Sequence, residues 1–345
     1  MKKLVQIMAA LGLVVITGLV GAQVSAQSTG VGVNPRVDHT IRPGESATGR
    51  LLVSNLNRSA DLTVTVKMVD FSAYDETGTP RLLTADNAEQ TAWSLKPYLN
   101  LPSTVEVPAG EQKYIDYSIQ IPQNVGAGSY YSAIQYIATG QDGGNVALNA
   151  APTTLAFVTV PGRATELLTL DKFGAYQATN DNKGGFKSFF TTRAPQQLAY
   201  RLTNSGTVAE SPKGSIIVKN IFGKEVATID NANPKSNLAL IGQTRRFDVC
   251  LKSATREAQA ENGQQVSNVE CEDMKLAPGI YTASAALLYG INGSNTQEIN
   301  ATATFWYMPV WFIIVVLVIL ALIALGIFFL RKKLMAGRVK TRKRK

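Results

Sequence analysis

Apolar and polar residues alternate along most of this chain. In LTVTVKM, Leu62, Val64, Val66 and Met68 fall on one face, with Thr63, Thr65 and Lys67 on the other, the period-two pattern of a half-buried strand. YIDYSIQI repeats it, placing Ile115, Tyr117, Ile119 and Ile121 inward and Asp116, Ser118 and Gln120 outward. Turn formers punctuate the runs: RPGE, SNLNRS, DETGTP, VPAGE, PQNVGAG, TNDNKGG, TNSGT, APG and INGSN. Only REAQAENG, Arg256 to Gly263, has a helix-like composition. Short strands between such turns predict an all-β protein made of sandwiches.

One outline occurs twice. GEQKYID from Gly110 and GQTRRFD from Gly242 share a Gly, turn formers, a basic residue, an apolar residue and an Asp. Upstream of each lies a strand ending in an Asn turn, LLVSNLNRSADLTV from Leu51 and AYRLTNSGTVAESP from Ala199; downstream of each comes Gly-x-Tyr, GSYYSA and PGIYTASA. Three features in the same order predict two tandem domains of one fold, at 27–160 and 161–304, joined near VPGR, Val160 to Arg163. Tyr130 with Ser132, and Tyr281 with Ala283, have the spacing of the tyrosine corner of immunoglobulin-like sandwiches. The expected fold is therefore two tandem immunoglobulin-like β-sandwiches.

Both chain ends carry long apolar stretches. MKKLVQIMAALGLVVITGLVGAQVSAQ has a basic start, an apolar core and small residues before Gln27, the layout of a signal peptide over 1–26. A retained N-terminal anchor is the alternative. Phe305 to Leu330 contains no charge and predicts a membrane-spanning helix of ~35–40 Å. Trp306, Tyr307 and Trp311 stand at its outer edge, as interfacial aromatic residues do, and Pro309 falls in its first turn. The tail, 331–345, holds nine basic residues and no acid, which places it on the cytoplasmic side of a plasma membrane with the larger N-terminal portion outside.

The location of the charge changes what the net +9 means. Of 34 basic residues, two lie in the first three positions and nine in the tail, which leaves 23 against 25 acidic ones. A nearly neutral body excludes a nucleic-acid footprint.

NPRVDHTIRPGESATGRLLVSNLNRSADLTVTV, YDETGTP, VEVPAGEQKYIDYSIQIP and GAGSYYSAI resemble the DUF916 family, the peptidoglycan-binding domain of bacterial WxL-interacting proteins. The second domain, span and basic tail are similar to that family's layout, in which a second sandwich, DUF3324, follows; the segment between Cys250 and Cys271 departs from it. The resemblance covers most of 33–160 and implies binding to peptidoglycan or to another cell-surface protein. Rings stack on the apolar faces of sugars, so Tyr74, Trp93 and Tyr98, in the long 71–103 connection, are the candidate ligand contacts. For Trp93 the alternative is a plug in the core's open edge. WSL, Trp93 to Leu95, reads as a single Trp-x-Leu and is expected to be a packed loop anchor.

Signals for catalysis are sparse. His39 is the only histidine, and no GxSxG, HExxH or Walker-type loop occurs. Asp181, Asn182 and Gly184 suggest an oxygen-rich turn, but their spacing is wrong for an EF-hand. No enzymatic activity, metal or cofactor is expected. Cys250 faces away from the core two residues after Asp248, free to pair with Cys271 and enclose the segment by which the second copy exceeds the first; two free thiols are the alternative. Two function classes remain. One is a membrane-anchored surface protein that binds noncovalently. The other is an assembly factor or chaperone for secreted subunits that uses paired immunoglobulin-like domains. A long free edge strand would favour the second, and a capped edge beside an aromatic groove the first.

Overall fold

The computed structural model describes residues 30–85, 90–139, 151–177, 184–187, 190–259, 265–290 and 296–342. The expected signal peptide and the Asp181–Asn182 turn lie outside the described residues.

Among the described residues ten strands build the first sandwich. One sheet takes β1 (Val31–Val33), β3 (Ser46–Asn55), β8 (Gln112–Gln120) and β6 (Leu99–Asn100), in that order. The other runs β2 (Arg36–Thr40), β10 (Thr153–Val160), β9 (Gly128–Thr139), β4 (Leu62–Ala73) and β5 (Pro80–Leu83), with β7 (Thr104–Val107) also paired to β4. The core forms where the inward residues of the two sheets meet: Leu51, Val53, Val64, Val66, Ile115 and Ile119 are all buried in it.

The second sandwich repeats the plan. One sheet is β12 (Gly185–Lys187), β11 (Leu168–Gln177), β13 (Gln197–Asn204) and β16 (Thr244–Cys250); the other is β15 (Glu225–Ile229), β14 (Lys213–Asn220), β19 (Gly279–Tyr289) and β20 (Gln297–Tyr307). Strand pairing makes the equivalence explicit. Leu51 faces Ile115 as Tyr200 faces Phe247, so Asp116 and Asp248 occupy matching positions. Tyr130 faces Val158 as Tyr281 faces Phe305. The two tyrosines close the same corner: Tyr130 Oη donates to the Gly126 carbonyl at 3.0 Å and Tyr281 Oη to the Ala277 carbonyl at 2.6 Å. Gly110 and Gly242 both sit at φ 69°, a left-handed turn geometry that glycine adopts without steric cost.

A third cluster joins the domains. Phe71, Tyr131, Ala133 and Phe157, on the outer face of the first sandwich, are buried against Ala209, Leu238 and Leu240 at one end of the second. The strands that carry them are apolar on both faces because both faces are covered.

Two stretches differ from the sequence expectation. The described part of the helix-like segment, Arg256 to Gln259, belongs to a β-ribbon, β17 (Ser253–Gln259) paired with β18 (Gln265–Cys271), its base closed by the Cys250–Cys271 disulfide. Tertiary pairing overrides the weak helical preference of its side chains. At the C-terminus, helix α1 (Val310–Arg342) starts later than Phe305. Phe305 is 1% exposed and stacks on Tyr281 in the second core, so Phe305, Trp306 and Tyr307 complete β20. Pro309 precedes the helix, and its carbonyl accepts from the N–H groups of Phe312 and Ile313. The candidate span, Val310–Lys333, covers 24 residues with a mean hydropathy of 3.5 and none of it buried; at 1.5 Å per residue it reaches ~36 Å.

Candidate functional site

In the first sandwich the outer side of β8 is only partly paired among the described residues. β3 covers one side of β8 from Gln112 to Gln120. On the other side β6 pairs only Leu99 with Ile119 and Asn100 with Ser118. The next residues are Leu101 and Pro102. Proline has no N–H to extend the ladder, and the chain crosses to β7 in the opposite sheet. From Gln112 to Tyr117 the outer edge of β8 has no pairing strand among the described residues. In an antiparallel strand alternate residues direct their backbone groups to opposite sides. Ser118 pairs outward with β6, so Tyr114 and Asp116, at even spacing from it, also direct their N–H and C=O groups outward.

A groove of about 860 Å³ lies where the pairing stops, lined by Thr48, Gly49, Arg50, Asn100, Leu101, Pro102, Asp116, Tyr117 and Ser118. Arg50 approaches Asp116 at 3.8 Å and stands 6.0 Å from the centre of the Tyr114 ring. Both side chains of the ion pair are largely exposed, so it adds little stability and is available to a partner. Beneath the groove, Tyr117 Oη and His39 Nε2 share a hydrogen bond of 2.6 Å that ties β8 to β2 across the core. Burial pushes the Tyr117 phenol above its ordinary pKa. A Cβ at Gly49 would lie 2.4 Å from Tyr117 Oη, so any larger residue there would displace the phenol. The sole histidine is engaged in structure.

In the second sandwich the equivalent edge is occupied. Arg246 matches Tyr114, and its N–H donates to the Glu76 carbonyl at 2.6 Å. Glu76 belongs to the β4–β5 turn of the first sandwich. Its carboxylate also pairs with the Arg246 guanidinium and, at 3.4 Å, with Arg201. Nearby, the Ala73 N–H donates to Gln243 Oε1 at 2.8 Å. The chain thus docks its own β4–β5 turn on one copy of this edge through the Glu76 carbonyl, and the other copy has no such partner among the described residues.

The aromatic candidates do not form one surface. Tyr74 is 70% exposed near the β4–β5 turn. Trp93 is half-buried in the inter-domain cluster, 6.0 Å from Tyr131 between ring centres, with Nε1 buried. Tyr98 packs against the first core and meets Tyr130 edge-on at 5.8 Å. The 71–103 connection therefore carries packing residues at Trp93 and Tyr98, because Asp70 pulls it onto the sheet. Asp70, 2% exposed, accepts from Ser94 Oγ at 2.7 Å, Ser132 Oγ at 2.9 Å and the Thr91 N–H at 3.1 Å. Of the interfacial set, Trp311 is 60% exposed on α1, whereas Trp306 and Tyr307 lie half-buried at the end of β20.

Sequence reasoning passed over Glu210. Its side chain is fully buried, Oε2 accepts from the Gly290 N–H at 3.2 Å, and Oε1 has no partner among the described residues. Burial raises its pKa to about 7. Among the described residues no cluster of His, Cys, Asp and Glu could hold a metal ion.

No family model and no curated protein matches the sequence. Among solved structures, the class 5 fimbriae chaperone CfaA is 13% identical, with 79% of this chain and 98% of that one covered at a TM-score of 0.33. The SafB chaperone–SafA pilin complex of Salmonella enterica gives 8% identity, 79% and 95% coverage and a TM-score of 0.33. A protein of unknown function from Porphyromonas gingivalis W83 gives 11%, 80% and 99%, and 0.31. At these TM-scores the likenesses carry no argument about function.

Proposed function

We propose that the protein is a membrane-anchored surface protein that binds an extended segment of a protein partner along the open edge of β8. α1 holds it in the membrane, the basic tail lies on the cytoplasmic side, and the two sandwiches stand outside. The observation that carries this reading is the contrast between the two copies: the Arg246 edge is taken by backbone from Glu76, while the Tyr114 edge has no pairing strand among the described residues. Strand addition uses main-chain hydrogen bonds for affinity and neighbouring side chains for selection. Here Arg50, Asp116 and Asn100 supply the selecting groups beside the edge.

The DUF916 resemblance, which rests on the quoted motifs, names the competing partner, peptidoglycan. Two of the three aromatic residues expected to stack on sugars are packed instead, which favours the protein partner. The open edge of β8 equally supports a second reading, an assembly factor for secreted subunits that binds through the same edge. A photo-crosslinking side chain at Lys113 in intact cells tests the choice. The expected product is an adduct with a protein, lost when Tyr114→Pro removes the outward N–H without touching the β3 ladder. An adduct with wall glycan, unaffected by Tyr114→Pro, would overturn the reading in favour of wall binding.

A further inference from the structure

Among the described residues the most exposed large apolar side chain of either sandwich is Phe222, at 90%, with Ile221 beside it at 65%. Both sit on the turn between β14 and β15. That turn is held rigidly: Asn220 Oδ1 accepts from the N–H groups of Phe222 and Lys224, both at 3.0 Å, and Gly223 takes φ 76°. These bonds fix the backbone at the tip of the turn, where the ring stands out from the core, and water alone gives no reason to hold it out.

Strand register shows which way the turn faces. Asn220 lies opposite Tyr281, and Tyr281 opposite Phe305. Ile221 and Phe222 therefore continue to the height of Trp306 and Tyr307, at the end of the sandwich from which the chain enters α1 at Val310. Two strand spacings, ~10 Å, separate the turn from β20. Phe190, 47% exposed, comes to the same end, because the neighbouring Thr191 N–H donates to the Trp306 carbonyl at 2.8 Å.

We infer that this end of the second sandwich rests on the bilayer, with Ile221 and Phe222 inserted into the interface beside the span. The partner is the lipid surface because the patch is continuous with α1, which starts three residues beyond β20. A ring held out on a rigid turn suits the headgroup boundary, and the exposed Lys224 next to it suits anionic headgroups. The contact fixes the tilt of the sandwich on its anchor, so the first sandwich is held at a set height. This inference rests on the reading of α1 as a membrane span.

The test uses the full chain, with the Cys250–Cys271 disulfide intact, reconstituted in phosphatidylethanolamine–phosphatidylglycerol vesicles. Phe222→Cys, and separately Ile221→Cys, is labelled with an environment-sensitive fluorophore; Glu45→Cys on the first sandwich serves as the aqueous reference. The expected result is blue-shifted emission at 221 and 222 and several-fold stronger quenching there than at 45 by lipids that carry a headgroup nitroxide. Alkaline extraction separates the two levels of failure. A protein stripped from the vesicles by alkali would overturn the span and this contact together. A protein that resists extraction while 221 and 222 emit like 45 would overturn this contact alone.

Discussion

Asn55 donates from Nδ2 to the Val107 carbonyl at 3.1 Å, and Asn204 donates to the matching Ala239 carbonyl at 2.8 Å. Each also accepts on Oδ1 from the N–H two residues on, Asn57 at 3.0 Å and Gly206 at 2.9 Å. Their own N–H groups donate to Glu111 and Gln243, both at 2.9 Å. One asparagine per sandwich thus satisfies the turn that the duplicated outline announces. Asn204→Ala would leave the buried carbonyls of Val208 and Ala239 and the Gly206 N–H without this partner. The Ala239 carbonyl keeps the Glu210 N–H, so two groups are orphaned at ~1–3 kcal/mol each and urea unfolding should show a loss of about 2–6 kcal/mol. A change below about 1 kcal/mol would mean that water replaces the side chain.

Much of this architecture can be read from the sequence, and the reason is local. The alternation in β4 and β8 marks a core face wherever one side is wet. The Asn turns and the Gly-x-Tyr corners repeat because each performs a backbone task that few residues can fill. The domain junction was harder to see. Tyr131, Ala133 and Phe157 break the alternation by being apolar on the outer face as well, and period alone does not say what covers them. Asp70 reads as an ordinary exposed acid until Ser94 and Ser132 are seen to converge on it. The open edge of β8 was hidden for another reason: pairing belongs to two strands at once, and only Pro102 hints that the neighbouring strand stops early.

Tyr131 is the largest side chain fully buried in the inter-domain cluster, 1% exposed and in contact with Phe71, Phe157 and Trp93. Tyr131→Ala should remove ~3–5 kcal/mol of packing and loosen the joint while leaving both sandwich cores intact. Small-angle scattering of the two-sandwich portion, residues 27–304, would then report a wider spread of domain orientations. An unchanged scattering curve would show that the Glu76 clamp on Arg201 and Arg246 holds the joint alone.

The disulfide between Cys250 and Cys271 spans a sequence separation of 21 and closes the base of the β17–β18 ribbon. A loop of this size contributes on the order of 3 kcal/mol by restricting the unfolded chain. Replacing both cysteines with serine should make the ribbon the first site of proteolysis. The sandwich should stay folded, since Val249 and Leu251 remain in its core. Global unfolding of the double variant at room temperature would assign the ribbon a larger role.

Glu210 gives the stability a direction in pH. Its folded pKa is raised to about 7 from the ordinary 4.5 of a glutamate, so between these values the folded state holds a proton that the unfolded state has released. The contribution is fully present below about pH 4.5 and is lost as pH rises through about 7, on the order of 3 kcal/mol in all. Urea midpoints measured across this window should fall with rising pH, and Glu210→Gln, which keeps the shape and removes the charge, should flatten the slope. A slope that survives the substitution would place the titration elsewhere.

The orientation we propose for the chain rests on two features at opposite ends of α1. On one side β20 delivers the second sandwich to Val310 with only Met308 and Pro309 between. On the other, Arg331, Lys332 and Lys333 begin the basic tail. Lysine and arginine beside a span are retained on the cytoplasmic side, whereas folded domains cross regardless of charge. Protease added to intact cells should therefore degrade the sandwiches and spare an epitope placed after Lys345. The Trp311 end of the span would then lie at the outer interface, beside the Ile221–Phe222 turn. Recovery of intact sandwiches with loss of the epitope would reverse the orientation, and it would move the open edge of β8 to the cytoplasmic side, where a surface partner could not reach it.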